Sequence, residues 1–362
     1  MKPKIIAYYL PQYHPIKENN EWWGIGFTEW TNVAKAKPLF YGHHQPNIPA
    51  DLGFYDLRLA ETRIAQAKMA KEAGIFGFCY WHYWFGMGKQ LLEKPLQEVI
   101  NSKKPDFPFC LGWANETWYS KTWNKEGRKK DKILIEQKYP GIEDIKEHFF
   151  NILPILKDKR YIKIGERPIF VIYRPLAIKN FELLKKTWNT MLKKRKIADS
   201  FYFIAYSISD KDNPLILNKG FDGINMVRNG AYRWNAKCAR DNWLRIAIYK
   251  LLNYPLRLKY SNMIKYFIGE PEKTNNIFPT IIPNWDHTPR SGRRGTVFEG
   301  VTSKLFKKHI LSIFNIIRNK PSEQQIVFLK SWNEWGEGNY MEPDLRNGKM
   351  LLNTLKETIE KC

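Results

Sequence analysis

The stretch Leu57–Glu72, LRLAETRIAQAKMAKE, is followed after Ala73 and Gly74 by Ile75–Trp81, IFGFCYW. The first segment carries its apolar residues at helical period, while the second is apolar almost without a break, as in a parallel strand buried on both faces. Seven more runs of strand length, bounded by turn residues, share that character. They are Lys4–Leu10 (KIIAYYL), Phe107–Trp113 (FPFCLGW), Pro168–Tyr173 (PIFVIY), Phe201–Tyr206 (FYFIAY), Phe221–Met226 (FDGINM), Phe278–Pro283 (FPTIIP) and Ile326–Trp332 (IVFLKSW). Helical periods over Ile142–Lys157, Asn180–Lys194, Thr302–Arg318 and Met350–Lys361 alternate with them. Eight strand–helix units are what closes a (β/α)8 barrel. The expected fold is therefore α/β, a single TIM barrel over residues 1–362 with long βα-loop insertions. The largest insertion, basic and aromatic, falls at about 235–275.

Composition removes other classes. With 43% hydrophobic and 15% aromatic residues, the 362-residue chain is not a disordered one. The opening MKPKIIAYYLPQYHP fails as a secretory signal, and no run approaches the ~20 apolar residues of a membrane-spanning helix. The four cysteines, Cys79, Cys110, Cys238 and Cys362, are scattered without ligand spacing and read as reduced thiols. These features point to a cytoplasmic chain without a zinc site. The net charge of +23 is uneven: Asn235–Lys320 holds 16 Lys and Arg against 5 Asp and Glu. Such a surplus attracts polyanions, or else reflects a Lys-rich composition throughout. Within it, Arg240–Ile268 has two readings: an outer barrel helix packed on the sheet, or a segment lying in an anionic membrane interface. The second would put the protein at the inner membrane face. No nucleic-acid partner is expected.

A barrel enzyme builds its site where the strands end. Tyr13 and His14 follow the first strand, then Glu29 and Trp30; Trp81, His82 and Tyr83 close the second; Trp113, Asn115 and Glu116 the third; Tyr173 and Arg174 the fourth. The seventh ends in Trp285, Asp286, His287 and Arg290, and the eighth in Trp332, Asn333, Glu334, Trp335 and Glu337. Most of the 14 Trp thus gather at one end beside carboxylates, His, Asn and Arg. Flat aromatic faces next to donors and acceptors suit a sugar ring; plugging the barrel mouth is the plainer use of the same residues.

Glu334 and Glu337 are the expected catalytic pair. On a helical turn, residues three apart bring their Cβ atoms within about 5–6 Å, and retaining glycoside cleavage needs two carboxyl groups only about 5–5.5 Å apart, one of them protonated. Trp332 and Trp335 would supply the dry surroundings, with Gly336 and Gly338 loosening the backbone. Asp286 and His287, adjacent on an extended segment, point opposite ways, so at most one faces the site. The D-x-D at Asp210 and Asp212, a pattern that can hold a metal-bound nucleotide sugar, falls in a polar turn. No metal and no cofactor is expected: the doublet His43–His44 lacks metal spacing, and G-x-G-x-x-G, G-x-x-x-x-G-K-[ST] and G-x-S-x-G are all missing from the sequence.

The motifs AYYLPQYHP, EWWGIGFTEWTNVAKAKPLFYGHHQPNIPADLGFYDLR, GFCYWHYWF, FPFCLGWANETW, FVIYRP, NWDHTPRSGRRG and SWNEWGEGNYMEPD together resemble the WbsX-type glycosyltransferases of bacterial surface-polysaccharide clusters. These are related to the family 99 glycoside hydrolases, the endo-α-mannosidases. The resemblance runs through nearly the whole chain and implies a (β/α)8 barrel, no metal, and a glycan or lipid-linked oligosaccharide substrate. It implies that Glu334 is the base assisting the sugar's own 2-hydroxyl to attack the anomeric carbon, giving a 1,2-anhydro sugar, and that Glu337 protonates the leaving oxygen and then activates the acceptor. Gly336 stands where the hydrolases carry a bulkier residue. Hydrolysis or transglycosylation of an α-linked, mannose-like glycoside with retention is the leading expectation; a transferase using an activated donor and a non-catalytic glycan-binding barrel are the alternatives.

Overall fold

The computed structural model describes residues 3–120 and 132–361. Its core is a ring of parallel strands: β1 (Lys4–Tyr9), β2 (Gly77–Trp84), β3 (Phe109–Trp113), β4 (Arg167–Ile172), β5 (Tyr202–Ser207), β6 (Gly223–Met226), β7 (Ile277–Phe278), β8 (Thr280–Ile281) and β9 (Ile326–Leu329). The order is β7-β6-β5-β4-β3-β2-β1-β9-β8. β7 and β8 are halves of one extended segment parted by Pro279, one half pairing with β6 and the other with β9. Nine segments thus fill eight positions and the ring closes, as eight apolar runs predict. Ile5, Ile6 and Ala7 of β1 and Val327, Phe328 and Leu329 of β9 are fully buried, which is why these strands show no alternation.

The outer helices are α1 (Ala60–Glu72), α2 (Lys94–Ser102), α3 (Ile142–Leu156), α4 (Phe181–Lys194), the short α5 (Asn213–Asn218), and, beyond the insertion, α7 (Ser303–Ile317) and α8 (Met350–Glu360). Asn180 caps α4 by accepting from Leu183 N at 3.0 Å, and Thr302 caps α7 through Leu305 N at 3.3 Å. α7 buries Phe306, Ile310, Ile313, Phe314 and Ile317, one face at helical spacing. α1 differs: its buried face is Arg63, Gln66, Ala67 and Ala70, while Ile64 is 40% exposed. Tertiary hydrogen bonding, not apolar packing, sets its rotation, because Gln66 accepts from Tyr9 Oη at 2.6 Å and donates to Glu342 at 2.7 Å.

The insertion after β6 holds helix α6 (Trp243–Leu252) and a strand, Leu256–Lys259, that pairs in parallel with Thr296–Glu299. It has its own small core of Cys238, Leu256, Leu258, Tyr260, Met263, Phe267 and Phe298. The outer-helix reading of this stretch is not met: no residue of α6 is buried, and its Ile246 and Tyr249 pack on the insertion's own core, not on the barrel sheet. Cys79, Cys110 and Cys238 are free and buried, and Cys362 lies outside the described residues. Among the described residues, no helix is long and apolar enough to cross a membrane.

Candidate active site

Past β9 the chain folds into a small antiparallel ribbon, Asn333–Glu334 against Asn339–Tyr340, joined by a 3-10 turn over Trp335–Glu337. Gly338 closes it at φ 53°, where a side chain would strain the backbone and its Cβ would sit 2.6 Å from that of Asp286. The ribbon is fastened from below. Asn333 Oδ1 accepts from Leu10 N at 2.8 Å and its Nδ2 donates to Leu10 O at 3.0 Å, tying the last strand to the first. Tyr13 Oη donates to Asn333 O and accepts from Trp335 N at 3.1 Å. Trp335 stacks on Tyr340 at 3.8 Å and donates to Glu342 at 2.6 Å.

Held this way, Glu334 and Glu337 meet on one guanidinium. Arg290 Nη2 donates to Glu334 Oε1 at 2.8 Å and to Glu29 Oε1 at 2.7 Å, while Nη1 donates to Glu337 Oε1 at 2.6 Å. His287 Nε2 is 3.4 Å from Glu337 Oε1, and Lys330 Nζ is 3.9 Å from Oε2. Glu29 is 1% exposed, and its other oxygen, Oε2, has no hydrogen-bond partner. The two catalytic candidates are driven apart in acidity. Burial, reinforced by the Glu337 charge, pushes Glu334 up to about 7. Burial pushes Glu337 up as well, but Arg290, Lys330 and His287 outweigh it and hold this carboxyl well below the usual range. Of the two, Glu334 is thus the weaker acid in the free protein, the reverse of the order that an acid role for Glu337 requires.

The pair opens into a cavity of about 390 Å3 at the C-terminal ends of the strands. Of the sequence-predicted residues, Glu29, Trp81, Tyr83, Glu116, Tyr173, Arg290, Glu334 and Glu337 line it. Trp81 is its aromatic floor, stacked at 4.7 Å on Tyr8, whose Oη donates to Asn225 Oδ1 at 2.7 Å inside the barrel. At the rim, Arg174 Nη2 donates to Glu116 Oε1 at 2.8 Å. Asn115 pins that rim from underneath, accepting from Arg174 N at 2.7 Å.

Other predicted residues lie elsewhere. Trp332 and Trp335 are fully buried and do not line the cavity, so the dry cover comes from Trp81, Tyr83, Trp118 and Tyr173 instead. Tyr13, Trp30 and Asn333 are braces beneath the ribbon, Trp30 donating to Tyr55 O at 2.8 Å. Trp113 is buried and donates to Trp84 O at 2.8 Å. His82 is buried 2.8 Å from His148, Nε2 to Nε2, and burial lowers it to about 3. His14 is likewise buried, with its pKa lowered to about 4. Neither imidazole lines the cavity. Trp285 is half-buried under the Lys330 ammonium, 5.4 Å from its ring. Asp286 turns away to His43 Nε2 at 2.8 Å and Gln45 Nε2 at 2.6 Å; its neighbour His287 takes the cavity side, as alternation along an extended segment demands.

His287, Lys330, Gln12 and Trp118 line the cavity without having been singled out as binding residues. Lys330 immediately precedes the SWNEWGEG motif, which was the available signal. Glu342 was also missed. Buried under the ribbon, it accepts from Tyr55 Oη at 2.8 Å, Gln66 Nε2 at 2.7 Å and Trp335 Nε1, and burial pushes it up to about 7. The D-x-D is engaged otherwise: Arg228 holds both Asp210 oxygens, at 2.6 and 3.1 Å. Among the described residues, no group of three or more His, Cys, Asp or Glu is arranged to hold a metal ion.

Known proteins resemble the chain in sequence or in fold. It is similar over 99% of its length, at 32% and 31% identity, to the uncharacterized protein WxcX of two Xanthomonas campestris pv. campestris strains, ATCC 33913 and B100. It spans about half the length of these curated relatives. Among solved structures, a glycoside hydrolase-like protein superposes with a TM-score of 0.61 at 15% identity, covering 99% of this chain and 94% of that one. The GH99 endo-alpha-mannosidase from Bacteroides thetaiotaomicron gives 0.58 at 15% identity, with 99% and 96% covered. At such identities the likeness is one of fold, the barrel with its long strand-end loops. The family described as Glycosyltransferase WbsX matches residues 5–355, and with nearly the whole chain inside that match this protein belongs to the WbsX family.

Proposed function

We propose that this chain is a carbohydrate-active enzyme of bacterial surface-polysaccharide metabolism, cleaving or transferring an α-linked, mannose-like glycoside with retention. The observation that supports it is the meeting of Glu334 and Glu337 on Arg290, at the base of an aromatic-walled cavity, with their acidities driven apart. Pairs of carboxyls in that condition divide acid and base work.

In this reading Glu334 removes the proton of the sugar 2-hydroxyl as that oxygen attacks the anomeric carbon. A base tuned to about 7 suits neutral pH. The bond to the leaving oxygen breaks, that oxygen takes a proton from Glu337, and a 1,2-anhydro sugar forms. In the second step Glu337 takes a proton from water or a sugar hydroxyl, whose oxygen opens the anhydro ring, and Glu334 returns its proton to the 2-oxygen. Two inversions at one carbon give retention. The acid role requires the pair's single proton on Glu337 in the complex, so a leaving oxygen seated on Glu337 must displace its bond to Arg290. Water and a sugar hydroxyl enter by the same chemistry, so hydrolysis and transfer differ only in which reaches the cavity. A lipid-linked form of the glycan, met at an anionic membrane, is the specific substrate we infer.

A glycan-array screen of the wild type beside Glu337→Gln, with product analysis on each hit, tests the reading. Retained binding with lost turnover and α-configured product is the expected result. Turnover unchanged in Glu337→Gln overturns the assignment. A requirement for a nucleotide sugar donor and Mn2+ would instead favour the activated-donor transferase, and binding indifferent to both glutamates a non-catalytic barrel.

A further inference from the structure

Helix α6 is built inside out. Leu244, Ile248, Leu251 and Leu252 recur at the spacing of a single helix face, yet they are 55%, 38%, 81% and 66% exposed, with Trp243 at 66% beside them. The inward face is where the polar contacts are: Arg245 Nη1 donates to Arg257 O at 2.8 Å and pairs with Glu299 at 3.2 Å, while Ile246 and Tyr249 pack against the insertion's core. A helix resting on a protein in water buries its apolar stripe; a contiguous apolar face turned outward marks a surface that something covers.

We propose that this face docks on an anionic lipid bilayer. Leucines and a tryptophan on one side, with cations close by, are the make-up of helices that lie in a membrane interface. Lys237, Arg240 and Lys250 are exposed on α6 and just ahead of it, within the segment Asn235–Lys320 that holds nearly half of the chain's excess positive charge. Charge argues against a second copy as the occupant, because two chains of +23 would meet through their most basic segments. An anionic headgroup layer attracts those cations and accepts the side chains between them.

The surface is joined to the candidate active site. The strand pair behind α6 donates from Phe298 N to Trp285 O at 2.8 Å and accepts at Thr296 O from His287 N at 3.0 Å. That segment runs on to Arg290, so docking through α6 would bring the cavity's rim near the bilayer. The docking stands without any reading of the cavity; only its consequence, a glycan on a lipid anchor as substrate, rests on the proposed function.

Co-sedimentation of the full chain with phosphatidylcholine vesicles, with and without phosphatidylglycerol, tests it. Binding is expected only with phosphatidylglycerol, weakening with salt, and falling by about tenfold or more in Leu251→Glu. Lys250→Glu, should Leu251→Glu fold poorly, is expected to lose part of the binding and its salt dependence. Absence of wild-type binding at low salt, or wild-type binding by both variants, overturns the proposal. So does a wild-type dimer in solution that Leu251→Glu converts to monomer, which would give the face to a second copy. Glu337→Gln is expected to sediment like wild type, so failure of the catalytic reading and failure of the docking are told apart.

Discussion

Gly336 and Glu29 are so close that a Cβ atom on the glycine would lie 2.3 Å from Glu29 Oε1 and 3.3 Å from Arg290 Nη2. The absence of a side chain in the middle of the two-glutamate turn is what lets a third carboxylate reach the same guanidinium. Gly336 itself has no left-handed φ, so space, not backbone freedom, selects the glycine here.

Gly336→Ala is therefore expected to push Glu29 off Arg290 without unfolding the barrel. Overpacking at one atom costs about 1–3 kcal/mol, and if that cost falls on the geometry of the pair, turnover drops about tenfold to a hundredfold. Steady-state kinetics beside a thermal melt check it. Loss of turnover with a melt within a few degrees of wild type is the expected pattern, and unchanged turnover would show that Glu29 is dispensable.

Arg290 is partly buried at the cavity wall, and three carboxylates depend on it. Arg290→Met would leave them facing one another. Breaking a buried ion pair by removing one partner costs about 3–5 kcal/mol. The loss should also depend on pH: without the cation, Glu337 loses its main acidifying partner and folds most easily when protonated. The melting temperature of Arg290→Met is expected to fall further below wild type at pH 8 than at pH 5. An equal gap at both values would mean that Arg290 acts by packing alone.

The barrel was legible because its strands are buried on both faces and so appear as plain apolar runs; Pro279, which splits the seventh strand, left that run intact. The glutamate pair was legible for the same reason, as polar residues placed directly after such a run. What sequence could not give was the direction of the aromatic side chains. Trp335 and Trp81 look alike as tryptophans at strand ends, but Trp335 is drawn under the ribbon by its bond to Glu342 while Trp81 stacks on Tyr8 and faces the cavity. Tyr8 is far from Trp81 in sequence, and Glu342, though only seven residues past Trp335, comes under it only once the ribbon has folded back. α6 was ambiguous because periodicity defines an apolar face without saying whether it points in or out.

The division of labour between the glutamates has its own kinetic signature. If Glu337 protonates the leaving oxygen, Glu337→Gln should lose about 10²- to 10⁴-fold on a natural glycoside, the usual worth of such a group. It should lose far less on an activated aryl glycoside, whose leaving group needs no proton. Glu334→Gln, lacking the base for the 2-hydroxyl, should be slow on both. The opposite pattern would assign the acid role to Glu334, in line with the order of the two acidities in the free protein.

The same proton distribution predicts how stability follows pH. Glu334 and Glu342 have folded values near 7 against 4.5 unfolded, so the stability they contribute is fully present below about 4.5 and is lost as pH rises through 7. His14 and His82 work the other way. Lowered to about 4 and about 3 from 6.5, they contribute stability above 6.5 that is lost as pH falls. His148 and His309, also lowered by burial, add to that side. Four histidines outweigh two glutamates below pH 6.5, so wild-type stability should climb from pH 4.5 to about 6.5 and then decline slightly, as only the glutamates still titrate. Glu334→Gln removes one declining contribution, worth of the order of 3 kcal/mol for a shift of this size. Measured by denaturant unfolding, the variant should gain on wild type steadily between pH 4.5 and 8. A constant difference across that range would mean that Glu334 titrates normally, and the acidity difference on which the proposed chemistry depends would be gone.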